Sequence, residues 1–559
     1  MNGIHRKSFT EILVLLFIIG VLFVLESFFP FRIDLTEEKR YSLHPATRQL
    51  LQELEEPIEV EILLTGNLPG GMRRLQKSIE ETIQTFDAYS GHKINYYFLD
   101  PLSLEGKAQE DYIVSLAEYG INPVNLFASQ GGGQTSQMIF PGVVLRNEEF
   151  EIGTLILKGE RGMSPDETLN LSIENLEYEI SNALKRLVTQ QKPGVGMIIG
   201  HGEMDVDEGF GLVEALVEDY EVFKIPMDQA ETVEDLLTFE ALIVAGPKQS
   251  YSEREKYLLD QYLMNGGNLL FFVDQLAVDL ASAGAAGTVA MPFDTGLNEL
   301  LFRYGIRINK DFIQDLSFGY HPVVSGEFGN QPQVVPLPWP FYVRAGRMAD
   351  HPISKGLDQL QFKFVSSLDT VKADGVVKTP LVFSSNYTRK SDAPVRVAFE
   401  DMSQKPDIEL FQLKNLPLVY LLEGNFTSYY KNRFLPEGFD KASFVESGDK
   451  GRIVVAGDGD LVKSDLDKAS GDPLPLGQDP LAEGLMANRE FIQNAVNYLT
   501  EPEGLISSRT KQYKIRPLNG IKIQEEKTFW YLINILLPLL FIVLVGMLKW
   551  YGRRKKFEG

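Results

Sequence analysis

The residues best suited to chemistry stand at His201-Gly202-Glu203, directly after an apolar run that predicts a buried strand. A histidine can serve as a general base or as a metal ligand, and acidic residues at 205, 207 and 208 add negative charge around it. A single histidine without a second ligand is more often part of a polar turn. We therefore interpret His201, Gly202 and Glu203 as a candidate ligand or partner contact.

The other patterns give little support for catalysis or for a cofactor. The six histidines show no HxxxH or HxH spacing, and the absence of cysteine excludes a thiolate metal site and a cysteine nucleophile. The glycines at 131–133 lack the following Lys-Ser or Lys-Thr of a phosphate-binding loop, and no G-x-S-x-G sequence is present. Asp458 and Asp460 are interpreted as a Gly-Asp turn. We predict no catalytic residue, no metal, no cofactor and no ATP hydrolysis by this chain.

The elements that must position His201 lie between residues 195 and 274. Apolar runs at 195–203, 220–226, 239–247 and 268–274 predict four strands, and helical patterns separate them. Ser252 and Glu255 form a predicted capping box at the start of one helix. This alternation predicts an α/β fold with a doubly wound parallel sheet, covered on both faces. Ligands bind at the carboxyl ends of such strands, and Asp274, which ends the fourth strand, therefore joins the candidate contact.

Further domains are predicted around this core. Residues 31–190 predict a small α/β domain with a thioredoxin-like layout. The central domain is predicted over 193–305 and 448–501, with a β-rich insertion at 306–447. Residues 502–528 are polar and predict a juxtamembrane linker.

Both ends of the chain have membrane-like patterns. Residues 12–25 are fourteen consecutive apolar or glycine residues after a basic start. A signal peptide and a membrane anchor both fit this run, and the lack of a small-x-small cleavage site favours an anchor within residues 1–30. Residues 529–548 contain no charge and predict a second span with aromatic residues at its two ends.

The second span contains two unusual residues, Asn534 and Pro538. They fit either a simple anchor with a kink or a surface that faces a partner helix. The basic tail at 549–559 and the basic start place both termini in the cytoplasm by the positive-inside rule. The bulk of the chain is then periplasmic, at the inner membrane, with lipid contact through two helices.

The net charge of −23 argues against a nucleic-acid partner. The segment DLTEEKRYSLHPATRQLLQELEEPIEVEILLTGNLPGGMRRL at 34–75 resembles the start of the gliding-motility GldG proteins. GHGE at 200–203, ALIVAGPKQSYSEREKYLLDQYLMNGGNLLFFVD at 241–274, VVAGDGDLV at 454–462 and NREFIQNAVNYL at 488–499 are also similar to that family. The resemblance implies an auxiliary subunit of a bacterial ABC transporter, with a permease and a separate cytoplasmic ATPase as partners. It also implies a role in gliding or cell-surface secretion in Bacteroidetes, a central domain similar to class I glutamine amidotransferases, and no catalytic residues.

Three functions are compatible with these observations. The leading hypothesis is a non-enzymatic, membrane-anchored auxiliary subunit whose outer region binds a ligand or an envelope protein. The alternative is an anchored periplasmic hydrolase acting on glycan or peptide through His201 and Glu203. A third is a periplasmic scaffold without a transporter.

Overall fold

The computed structural model describes residues 42–130, 133–159, 163–189, 191–283, 287–328, 331–467, 470–479, 481, 485–510 and 526–557. The anchor predicted within residues 1–30 lies outside the described residues, as does the linker between 511 and 525. The chain divides into two units, and the larger is Tyr41–Lys511. The C-terminal helix Lys527–Phe557 belongs to the other unit.

The first part of the larger unit is a four-stranded sheet with helices. Its helices are α1 (Pro45–Gln52), α2 (Gly70–Ser90), α3 (Lys107–Glu118) and α4 (Pro165–Val188). Its strands are β1 (Ile58–Ile62), β2 (Ile94–Phe98), β3 (Val124–Gln130), β4 (Gly133–Ile139), β5 (Gly142–Arg146) and β6 (Glu151–Leu155). The sheet order is β2-β1-β5-β6, with β1 parallel to β2 and antiparallel to β5, while β3 and β4 form a separate hairpin.

Local sequence explains how these elements begin and turn. The β5–β6 hairpin turns where the Asn147 side chain accepts hydrogen bonds from the backbone N–H groups of Glu149 and Phe150, at 3.0 and 2.7 Å. Helix α4 begins at Pro165 because Ser164 and Glu167 form a capping box there. The apolar sides of α2 and α4 pack together with β1 in one core.

The remaining strands of the larger unit form the central sheet and several small sheets. They are β7 (Gly194–Ile199), β8 (Glu221–Pro226), β9 (Ala241–Ala245), β10 (Asn268–Phe272), β11 (Leu276–Ala277), β12 (Thr288–Pro292), β13 (Ile306–Ile308), β14 (Asp311–Asp315), β15 (Phe318–Phe328), β16 (Gln331–Ala345), β17 (Arg347–Met348), β18 (Leu360–Lys363), β19 (Leu368–Thr370), β20 (Val376–Phe383), β21 (Thr388–Asp392), β22 (Val395–Val397), β23 (Pro417–Gly424), β24 (Phe426–Thr427), β25 (Ser447–Gly448) and β26 (Arg452–Ala456). The helices here are α5 (Phe210–Leu216), α6 (Val233–Leu236), α7 (Glu253–Met264), α8 (Leu297–Tyr304) and α9 (Asn488–Thr500). The C-terminal helix Lys527–Phe557 is α10.

The central sheet has eight strands in the order β17-β20-β23-β26-β10-β9-β7-β8. The five strands from β26 to β8 are parallel, and β23, β20 and β17 extend the sheet in antiparallel pairs. The four strands predicted between 195 and 274 are therefore present as β7, β8, β9 and β10. The structure adds that β20 and β23, from the region predicted as an insertion, pair within this same sheet.

Helices cover the two faces of the central sheet because its strands are apolar on both sides. In β9, Ile243 packs in the core that contains α5 and α9, whereas Leu242 and Val244 pack in the core that contains α7 and α8. All five residues of β9 are buried. The carboxyl ends of the parallel strands meet at one edge, which is where His201 and Asp274 lie.

Helix α10 is long and apolar enough to cross a membrane, and none of its apolar stretch is buried within the described residues. It contains Asn534 and Pro538, four residues apart and therefore on one face of the helix.

Candidate functional site

His201 lies in a tight turn after β7, at the carboxyl edge of the central sheet. Gly200 and Gly202 on either side have φ angles of 121° and 74°, which glycine adopts without steric cost. The His201 carbonyl accepts hydrogen bonds from the backbone N–H groups of Lys248 and Gln249, both at 2.8 Å. The turn is thus fixed to the loop that follows β9.

The His201 ring lies between two carboxylates. Its Nε2 is 3.2 Å from Glu255 Oε1, and its Nδ1 is 3.3 Å from Glu203 Oε1. The Nδ1 atom and the Glu203 carboxylate are close enough for an ion pair, but they are not aligned for a hydrogen bond. The Tyr251 ring stacks on the imidazole, with centroids 3.7 Å apart, and its hydroxyl donates to Glu203 Oε1 at 2.6 Å. The histidine is 6% exposed, so the network is almost closed to water.

The electrostatics of this network favour a protonated imidazole. Burial lowers the pKa of His201, but the close contacts and negative charges of Glu203 and Glu255 outweigh burial and raise it above 6.5. Burial raises the pKa of Glu203, but its bonds with His201 and Tyr251 leave it below 4.5. The pKa of Glu255 is lowered for similar reasons, since burial is outweighed by bonds with Ser252 and His201.

This arrangement suits a structural clamp better than a general base. A base must be neutral to accept a proton, whereas His201 is stabilised as a cation. Within the described chain its ring contacts two carboxylates and the Tyr251 ring, and none of these contacts places a hydroxyl as a nucleophile. Glu255 also accepts from the Ser252 backbone N–H at 2.7 Å, as the capping residue of α7. His201 therefore joins the turn after β7 to the start of α7. Its partner there, Glu255, was not apparent from the spacing of residues in the sequence.

Asp274 lies in a separate group at the same edge. Its Oδ1 accepts from the Gly459 backbone N–H at 2.8 Å, and no hydrogen bond in the described chain joins it to His201 or Glu203. A Cβ on Gly459 would lie 2.7 Å from Asp274 Oδ2, so only glycine fits there. Of the four candidate contacts, Asp274 is thus apart from the other three.

Asp458 and Asp460 complete this acidic group. Asp458 accepts from the backbone N–H groups of Lys363 and Asp460, at 2.7 and 2.8 Å. Burial, followed by the Asp460 charge, raises the pKa of Asp274 to about 7, and burial with the same neighbour raises that of Asp458 well above 3.8. Within the described residues, no group of three His, Asp or Glu side chains is arranged to hold a metal ion. The Asp458 side chain holds the Gly-Asp turn, since it accepts from the Asp460 backbone N–H.

Basic side chains close this edge further. Lys463 pairs with Glu208, and Lys363 pairs with Asp465. The space beside these pairs is a cavity of about 20 Å³, enough for roughly one water molecule.

Comparison with known proteins gives two family matches. A family described as "ABC-type uncharacterized transport system" matches residues 192–495, and a domain of unknown function matches residues 37–146. A protein of Borreliella burgdorferi described as uncharacterized is 20% identical over 548 residues, which is 96% of each chain.

Two solved structures are similar at low identity. The N-terminal domain of mmIFT52 is 16% identical, with a TM-score of 0.30, over 55% of this chain and 97% of that one. A ThuA-like protein from Bacteroides uniformis is 10% identical, with a TM-score of 0.27, over 56% of this chain and 93% of that one.

Proposed function

Because the chain belongs to the family described as "ABC-type uncharacterized transport system", we propose that it is a non-enzymatic, membrane-anchored auxiliary subunit of an ABC transporter complex. The family match over residues 192–495 is the observation that carries this proposal. Family membership implies association with a transporter complex and fits an auxiliary role. The closed His201 network supports the absence of catalysis, since it offers neither a neutral base nor a nucleophile.

The finer parts of the proposal rest on sequence. The partners are an ABC permease and a cytoplasmic ATPase, and the process is gliding motility or cell-surface secretion, as the resemblance to GldG proteins implies. The chain spans the inner membrane twice, through residues 1–30 and helix α10, with the region between in the periplasm. The central domain is glutamine-amidotransferase-like in architecture, and the preceding small domain is thioredoxin-like.

Helix α10 is the proposed contact with the permease. Asn534 and Pro538 lie on one helix face, and a polar amide in lipid is stabilised by a neighbouring helix. Leu536 and Leu540 lie on the opposite face and serve as matched controls.

The test is purification of the full-length chain in mild detergent, followed by mass spectrometry of the proteins that accompany it. We expect a multi-span permease and an ATPase with a phosphate-binding loop. The double variant Asn534→Leu, Pro538→Leu should recover much less of both, while Leu536→Ala, Leu540→Ala should recover them normally. Recovery of neither protein with the unaltered chain would contradict the proposal.

A further inference from the structure

A second cavity lies away from the carboxyl edge of the central sheet. Its lining residues fall between 314 and 411, on strands of the small sheets and in the loops beside them. It has a volume of about 510 Å³, within the usual range for small-ligand sites. Gln314 on β14 and Arg389 on β21 line it from two paired strands. Trp339 and Phe411 supply aromatic walls.

Hydrogen-bond donors in this cavity are only partly used. Arg389 donates through Nε to Gln314 Oε1, which fixes the amide orientation. Gln314 is 4% exposed, and its Nε2 donors and the terminal guanidinium nitrogens of Arg389 have no acceptor among the described residues. The Nε1–H of Trp339 likewise has no partner in the described part of the chain. Of these donors, the Trp339 Nε1–H is buried away from solvent, and a buried donor is normally satisfied. Arg389 is half-buried, so its terminal N–H groups are accessible from the cavity.

The cavity lining carries three acidic and three basic side chains, and no ion pair in the described chain joins Arg389 to any of these acids. Arg396 is held by both oxygens of Asp401, each at 3.0 Å, and Asp407 accepts from the Glu409 backbone N–H at 3.1 Å. Burial lowers the pKa of Arg389, and the charges of Asp401 and Asp407 offset this only in part. Lys405 also lines the cavity without an ion pair in the described chain, and Asp392, the third acid, is exposed.

The Arg389 guanidinium lies against an aromatic ring. Its guanidinium lies over the buried Phe411 ring, 5.1 Å from the centroid. Ile408 and Leu410, which precede Phe411, are 65% and 54% exposed. Arginine on an aromatic face, with free terminal N–H groups, presents a planar fork that matches a carboxylate.

From these contacts we propose that this cavity binds an organic carboxylate with an apolar body, through the Arg389 guanidinium and the Gln314 amide. The carboxylate oxygens accept the unpaired N–H groups, and the apolar body lies against Trp339 and Phe411 in the cavity lining. The source of the carboxylate is either a small molecule or the carboxyl terminus of a peptide. This site is independent of the transporter association proposed above.

The test measures binding to the full-length chain in detergent by tryptophan fluorescence. Trp530→Phe and Trp550→Phe leave Trp339 as the one tryptophan of the chain, so the signal comes from the cavity. The probes are N-acetyl-phenylalanine and the peptide acetyl-Leu-Phe-Leu-Phe, each against its neutral C-terminal amide. We expect the acids to bind in the millimolar range or tighter, and their amides about 10-fold or more weakly. Binding of both acids indicates a small-molecule site, and binding of the peptide alone indicates a peptide terminus.

Three variants test the assigned residues. Arg389→Gln should weaken binding of the acid about 10-fold or more, and Arg389→Lys should retain part of it, because lysine keeps the charge but not the fork. Gln314→Glu should abolish binding, because the new carboxylate pairs with Arg389 in place of the ligand. Arg307→Gln is the matched control, since Arg307 forms an exposed pair with Asp369 outside the cavity.

Circular dichroism shows whether each variant is folded, and Arg389→Lys keeps the test valid if Arg389→Gln does not fold. The proposal is overturned if neither acid binds in the millimolar range, or if acid and amide bind equally. It is also overturned if folded Gln314→Glu binds the acid as the unaltered chain does.

Discussion

Replacing His201 by glutamine should destabilise the central domain by leaving two carboxylates without their cation. Glu203 and Glu255 have side chains that are 3% and 11% exposed, so neither recovers full hydration when the imidazole is lost. Removing one partner of a buried ion pair costs about 3–5 kcal/mol. For a domain of this size, about 2 °C of Tm corresponds to 1 kcal/mol. We therefore expect His201→Gln to lower the Tm by about 6–10 °C.

The loss should depend on pH in a defined direction. The pKa of His201 is raised in the folded state. Its contribution to the free energy of unfolding is therefore complete below pH 6.5 and is lost as the pH rises through the folded-state pKa. The pKa values of Glu203 and Glu255 are lowered, so their contributions are present above 4.5 and are lost as the pH falls. The difference in Tm between the unaltered chain and His201→Gln is therefore largest between pH 4.5 and 6.5.

The assay is thermal unfolding of the full-length chain in detergent, across a pH series. His92→Asn is the matched control, because His92 pairs with Asp87 at 2.8 Å but its side chain is 81% exposed. Its φ of 65° suits asparagine, and an exposed pair contributes less than about 1 kcal/mol. Glu255→Gln keeps the capping box of α7 but removes the negative charge, so it should show part of the decrease in Tm expected for His201→Gln. Equal Tm values for His201→Gln and His92→Asn, at every pH, would refute the clamp.

Two further predictions concern buried aspartates. The Tm of Asp274→Asn should rise relative to that of the unaltered chain as the pH increases from 3.8 to about 7. The folded-state pKa of Asp274 is raised, so ionising this group costs stability over that interval, and asparagine does not ionise. Thermal unfolding at several pH values checks this, and a Tm difference independent of pH would contradict it. Asp260→Ala should lower stability by about 3 kcal/mol, because Tyr304, Ser428 and the Tyr429 N–H lose their buried acceptor. Asp228→Ala, at an exposed aspartate, is the control in the same thermal unfolding assay. An equal loss of stability in the two variants would argue against the role of the hydrogen bonds to Asp260.

The strands and helix of the central region could be predicted because their signals are local. The apolar run at Ala241–Ala245 and the Ser252–Glu255 capping box are each contained within a few residues, and both are present. The Asn147 turn is of the same kind.

Long-range pairing could not be predicted in this way. Glu255 meets His201 only because β7 and β9 are neighbours in the sheet, which places the turn after β7 beside the start of α7. The pairing of β23 with β26 likewise depends on sheet order, and a short apolar strand does not specify its neighbour. The Arg389 cavity joins side chains 75 residues apart, Gln314 and Arg389, and no spacing rule connects them.

The carboxyl edge of the central sheet, where open α/β sheets commonly bind ligands, is occupied here by the chain's own groups. His201 is held by two glutamates, and the carboxylates of Asp274 and Asp458 accept backbone N–H groups. A ligand at this edge would have to displace bonds that already satisfy these groups, at the full cost of desolvating them. The Arg389 cavity differs because its donors lack acceptors within the described chain, so a carboxylate there replaces solvent and breaks no hydrogen bond of the protein. On this physical ground, we propose ligand recognition at the Arg389 cavity and not at the carboxyl edge of the central sheet.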